Sequence, residues 1–203
     1  MRTLGLLLCL FSTPGAAAQF YSLEVSHDDG LYKMVANVHL EAPPDEVYKV
    51  LTDYEHLTRV SSSVVKSTLV RRVDPVTALV YTDTRICTFL FCRHARELQR
   101  IEQTSPLDLS AVVVPQLANN IKSGNATLHV EAEQGGTRMH WELSIEPGFW
   151  VPPWIGPLLL SSSLRAESER SVAGIEKLAR ERALLPPLDG THDDAKPKDQ
   201  DPR

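Results

Sequence analysis

Residues 124–133 and 137–146 alternate apolar and polar side chains on either side of Gln134-Gly135-Gly136. Two period-two stretches around a glycine turn make a β-hairpin, a pattern that a helix cannot use. The inward faces of that hairpin are Ala126, Leu128, Val130 and Ala132, then Met139, Trp141, Leu143 and Ile145. Pro147-Gly148 ends the second strand. The pattern then changes period: Leu164, Val172, Ile175 and Leu178 fall at helical spacing, with Arg165, Glu169, Lys177 and Arg180 as a wet face. This predicts one long helix running to about Leu184. It is the only element large enough to cover the apolar face of the sheet.

Upstream, residues 32–40 alternate, with Met34, Ala36, Val38 and Leu40 on one face. Ala42-Pro43-Pro44-Asp45 stops that strand and starts a short helix, in which Val47, Val50 and Leu51 give the apolar stripe. Thr52-Asp53 opens a second short helix that turns Tyr54, Leu57 and Val60 inward. Strands are predicted over 63–73, 77–86, 93–103 and 107–114, separated by Asp74-Pro75, Ser105-Pro106 and Pro115. The order is one strand, two short helices, about six strands and one long helix. That is an α+β chain: a curved antiparallel sheet wrapped on a C-terminal helix, with two short helices after the first strand. A bent sheet does not close perfectly on one helix, and the gap is a usual ligand site.

The length of 203 residues suits one domain of roughly 150 residues plus end segments. Arg2, the apolar run from Leu4 to Phe11, and Ala16-Ala17-Ala18 follow the three-part plan of a secretory signal peptide. The run is shorter than the ~20 residues that span a bilayer. Cys9 follows Leu8 rather than a small residue, which argues against lipidation. The competing reading is a buried N-terminal helix. With cleavage after Ala18, residues 1–18 are the signal, 19–184 the domain, and 185–203 a disordered tail rich in Pro, Asp and Lys. The expected location is secreted or periplasmic. A formal charge of −5 without a basic stripe argues against nucleic acid as a partner.

Chemistry is sparse. Cys87 and Cys92 are either one local disulfide or two buried thiols. They have no further partners to complete a tetrahedral metal shell, so no metal site is expected. His39, His129 and His140 lie out of phase with the apolar faces and point to the polar side of the sheet. His94 can face either way. Arg93, His94, Arg96 and Glu97 supply either a polar contact inside the cavity or a cross-strand charge pair on the surface. Ser161-Ser162-Ser163 reads as a helix-start cluster rather than a nucleophile elbow. There is no phosphate-binding glycine loop, and no cofactor is expected. Asn125-Ala126-Thr127 is a glycosylation sequon that arises readily by chance.

Two stretches carry a family resemblance. One runs from Ala42-Pro43-Pro44-Asp45 through Glu46-Val47-Tyr48-Lys49-Val50-Leu51-Thr52-Asp53-Tyr54. The other is Phe149-Trp150-Val151-Pro152-Pro153-Trp154-Ile155-Gly156-Pro157. With the element order, they resemble the START-like or Bet v 1-like (SRPBCC) superfamily over roughly residues 32–182, including polyketide cyclase/dehydrase and coenzyme Q-binding proteins. The resemblance implies a helix-grip fold with a hydrophobic tunnel. It carries over no catalytic residue.

The expected activity is carriage of a lipid, quinone or sterol-like molecule. Met139, Trp141, Leu143, Ile145, Trp150, Trp154, Leu164 and Val172 are the candidate ligand-binding residues. Residues 149–160, from Phe149 to Leu160, either pack the last helix or line a tunnel mouth that touches a bilayer. Two rival readings remain. One is a cyclase or dehydratase using Arg85, His94 and Glu97. The other is a module that docks on a membrane or protein through residues 149–160.

Overall fold

The computed structural model describes residues 18–87 and 92–185. The signal segment lies outside these residues up to position 17, and the tail lies outside them from position 186. Eight strands form one antiparallel sheet: β1 (Gln19–Asp28), β2 (Leu31–Leu40), β3 (Val64–Arg72), β4 (Thr77–Cys87), β5 (Cys92–Ser105), β6 (Asp108–Val113), β7 (Ile121–Glu133) and β8 (Gly136–Pro147). Among the described residues two α-helices accompany the sheet, α1 (Pro44–Leu51) and α2 (Gly156–Ala183). The spatial order is β1-β2-β8-β7-β6-β5-β4-β3. The expected architecture is therefore the one observed, an α+β helix grip.

Two details differ from expectation. A strand, β1, precedes the one that was anticipated, so two strands come before α1. Its hairpin turn is Asp29-Gly30, with φ of 43° and 82°, and Asp28 pairs with Leu31. Two positive-φ residues make the kind of turn whose twist suits a two-residue hairpin. The second short helix is only a 3-10 turn, Leu57–Arg59. Thr52 ends α1 by donating its hydroxyl to the Tyr48 carbonyl at 2.9 Å. The stretch that remains before Ser61 is too short to repay helix nucleation.

The core explains where space is left. Met34, Ala36, Val38 and Leu40 of β2 meet Val130 and Met139 of the β7–β8 hairpin, Val47 and Val50 of α1, and Val172, Ile175, Leu178 and Ala179 of α2. The C-terminal half of α2 is thus clamped on the sheet. Gly174 permits the closest approach: a Cβ there would lie 1.8 Å from the Val60 carbonyl oxygen. Polar ties hold the same end. Glu176 accepts from the Glu41 amide at 3.0 Å, Arg180 pairs with Glu41 at 3.2 Å, and Arg182 pairs with Asp53. Between Leu164 and Val172 the face of α2 toward the sheet presents Ser168 and Ser171, with Ser163 one residue before Leu164, and these small side chains cannot fill the distance to the bent sheet.

Candidate functional site

A cavity of about 490 Å³ occupies that gap. The volume falls within the range of small-molecule sites. One wall is the inward face of β8, where Trp141, Leu143 and Ile145 stand in register with Ala36, Met34 and Tyr32 of β2. The opposite wall is β4 and β5, with Thr84, Ile86, Ala95, Glu97 and Gln99. The roof is α2, with Leu164, Glu167 and the three serines. The space is therefore apolar along β8 and carries polar groups along β4–β5 and the helix.

The candidate residues divide into three groups. Trp141, Leu143, Ile145 and Leu164 line the cavity. Met139 and Val172 are fully buried in the closed core beside it. Trp150 and Trp154 lie outside it, 77% and 88% exposed, next to exposed Leu158.

The two carboxyl groups in the cavity wall differ. Glu167 is saturated: it accepts from Ser61 Oγ at 2.6 Å, from Ser63 Oγ at 2.5 Å and from Ser171 Oγ at 3.4 Å, and pairs with Arg170 at 2.8 Å. This latches the segment after the 3-10 turn to α2. Glu97 is satisfied on one side only. Its Oε1 accepts from Gln99 Nε2 and, at 3.5 Å, from Thr82 Oγ1, while Oε2 has no partner among the described residues. Burial in the cavity wall pushes the Glu97 carboxyl above its ordinary pKa, against the two hydrogen bonds that hold it down. The indole N–H of Trp141 is buried without a hydrogen-bond partner among the described residues.

The trio considered for acid–base chemistry does not converge. Arg85 and His94 are opposite each other in the β4–β5 ladder, in the strand phase that Asp83 and Arg96 share. Arg85 borders the cavity, but its strand phase is that of the outer face. His94 Nδ1 lies 2.6 Å from Asp83, which Arg96 also binds at 3.0 Å. Glu97 has the opposite phase and so faces the cavity. His39, His129 and His140 also stand on the outer face, against Glu133, Asp108 and Glu142.

Cys87 and Cys92 form a disulfide that closes the β4–β5 ladder beside the cavity. Ser163 of α2 donates its hydroxyl to the Cys87 carbonyl. Ser163 reads from the sequence as part of a helix-start cluster, but α2 begins at Gly156 and places it within the helix; Ser168, Ser171 and Ser61 to Ser63 are small polar residues that the sequence alone does not single out. Their signal was the absence of any large apolar residue between Leu164 and Val172 on the stripe.

No cluster of metal-ligating side chains occurs among the described residues. No described helix is long and apolar enough to cross a membrane.

Residues 32–180 match the family model described as polyketide cyclase / dehydrase and lipid transport. No curated protein matches the chain. Among solved structures, it is similar to a protein of Thermus thermophilus, at 19% identity and a TM-score of 0.62, covering 74% of this chain and 99% of that one. It is also similar to a START superfamily protein from Mycobacterium smegmatis, at 12% identity and 0.60, covering 74% and 98%. The Zhui aromatase/cyclase of a Streptomyces species is similar at 12% identity and 0.58, covering 75% and 96%. At these identities the likeness concerns the fold.

Proposed function

Because the chain belongs to the polyketide cyclase / dehydrase and lipid transport family of START-like proteins, we propose that it is a secreted or periplasmic carrier of a hydrophobic small molecule. The observation that supports this reading best is the 490 Å³ space between sheet and helix, walled by Trp141, Leu143, Ile145 and Leu164. Each methylene moved from water into such a space contributes about 0.8 kcal/mol. An isoprenoid, sterol-like or alkyl body therefore binds by desolvation alone.

The location rests on the signal-like leader and on the Cys87–Cys92 disulfide, a bond typical of oxidising compartments. Exposed Trp150, Trp154 and Leu158 lie where α2 begins, the end of the helix that roofs the cavity. Tryptophan favours the membrane interface. They suit a transient contact at which a lipophilic cargo changes phase.

A cyclase or dehydratase in the same fold is the alternative. It requires an acid and a base facing the bound molecule. Of Arg85, His94 and Glu97, only the last combines an inward strand phase with a place in the cavity wall, so carriage is the reading we favour. Delipidated protein takes up fluorescent quinone, sterol and fatty-alcohol analogues one per chain, measured by titration and native mass spectrometry. Failure across the whole panel defeats the proposal.

A further inference from the structure

We infer that Glu97 is the polar anchor of the cavity and that it selects apolar ligands ending in an uncharged hydroxyl, such as an alcohol or phenol. This deepens the carrier reading and rests on it. The cavity holds two carboxyl groups, and only one has capacity left. Glu167 spends its oxygens on Ser61, Ser63, Ser171 and Arg170. Glu97 binds Gln99 and Thr82 through Oε1, and its Oε2 is unpaired among the described residues. Thr84 and Gln99 beside it are polar, whereas the facing β8 wall of Trp141, Leu143 and Ile145 is apolar. A ligand gripped there has its body against β8 and its head toward β5.

The head is set by what a carboxyl can accept. An ionised carboxyl only accepts hydrogen bonds; a protonated one also donates. A hydroxyl both donates and accepts, so it pairs with Glu97 in either state. A ketone pairs only with the acid form. A carboxylate head brings a second negative charge beside Glu97 into a poorly solvated space, which is costly. An ammonium head must give up its hydration shell to enter the cavity, a cost that one carboxyl with a single free oxygen offsets only in part.

The test uses the delipidated full chain and Nile red, a neutral dye, displaced at neutral pH by dodecanol, dodecanoate or dodecylamine. Wild type, E97Q and E97L are compared, with circular dichroism as the folding control. The readout is the ratio of dodecanol to dodecanoate affinity. In E97L dodecanol weakens about tenfold, the effect of one hydrogen bond involving a carboxyl group, and the ratio falls. In E97Q the amide oxygen still accepts, so dodecanol stays within about threefold while dodecanoate binds more tightly. An unchanged ratio in both variants overturns the inference, as does wild-type preference for dodecylamine over dodecanol. If E97L does not fold, E97Q and the wild-type ranking decide. Failure of Nile red to bind wild type defeats the carrier reading itself, a result distinct from losing head preference while the dye still binds.

Discussion

Ser163 on α2 donates its hydroxyl to the Cys87 carbonyl at 2.8 Å. The disulfide-closed end of β4–β5 is therefore fixed to the helix that roofs the cavity. The loop closed by Cys87 and Cys92 is short, with a sequence separation of 5, so its chain-entropy contribution is about 2 kcal/mol. Replacing both cysteines with serine is expected to lower stability by that amount, read as a fall in the urea midpoint at unchanged slope. Ser163→Ala in the oxidised chain costs about 1 kcal/mol. In the cysteine-free background it costs less, because the hairpin end is no longer held in register; a double-mutant cycle measures the difference.

Filling the cavity separates binding from folding. Leu143 lines the open space and touches the clamped core only along its edge, as a partly buried neighbour. Leu143→Trp places added volume in that space, so no overpacking penalty is expected. Dye uptake falls to near zero while the melting temperature is unchanged or higher. Retained uptake at full stoichiometry would show that the site lies elsewhere.

Trp150 and Trp154 are exposed enough that removing them barely affects the fold. The Trp150→Ala, Trp154→Ala double variant should change stability by no more than about 0.5 kcal/mol per site. Its association with phospholipid vesicles, followed by co-flotation, should drop to background. Association equal to wild type rules out this end of the molecule as the contact.

Acid sensitivity should come partly from Glu133. His39, then Arg138 and Tyr21, hold its carboxyl at about 2, below the ordinary 4.5. Unfolding releases those contacts, and the group then binds protons more readily. Its contribution is fully present above pH 4.5 and disappears as the pH falls through about 2. Glu133→Gln should be less stable than wild type at neutral pH by a constant gap, and the gap should close over that interval. Urea unfolding at a series of pH values tests the sign; a gap that widens toward acid contradicts it.

The sheet was legible wherever one face meets the core and the other meets water. The β7–β8 hairpin is the clearest case, because Gly135 takes a φ of 83° and Met139 is fully buried while Arg138 is exposed. β1 was missed although Asp29-Gly30 announces its turn. As an edge strand it buries only Phe20, Leu23 and Val25 in part, so its alternation is faint. At the site, the apolar wall could be read from Trp141, Leu143 and Ile145. The polar wall could be read only in part. Glu97 stands among the residues that could enter the cavity, but the ambiguous phase of its strand leaves the surface reading open, and Glu167 looks like any other helix acid. For residues 149–160 the sequence leaves core packing and a bilayer-touching rim both open; Trp150 and Trp154 are exposed, a placement that only side-chain burial reveals.

The strand order has a temporal consequence. β2 lies between β1 and β8, with Tyr32 paired to Ile145 across more than a hundred residues. Local hairpins such as β1–β2 and β7–β8 can form as soon as their own residues exist, but the junction between them waits for almost the whole domain. Such long-range pairing makes folding slow. Among the strands the β2 edge is therefore the last to find its neighbour, and the cavity waits longer still, for the α2 residues that roof it.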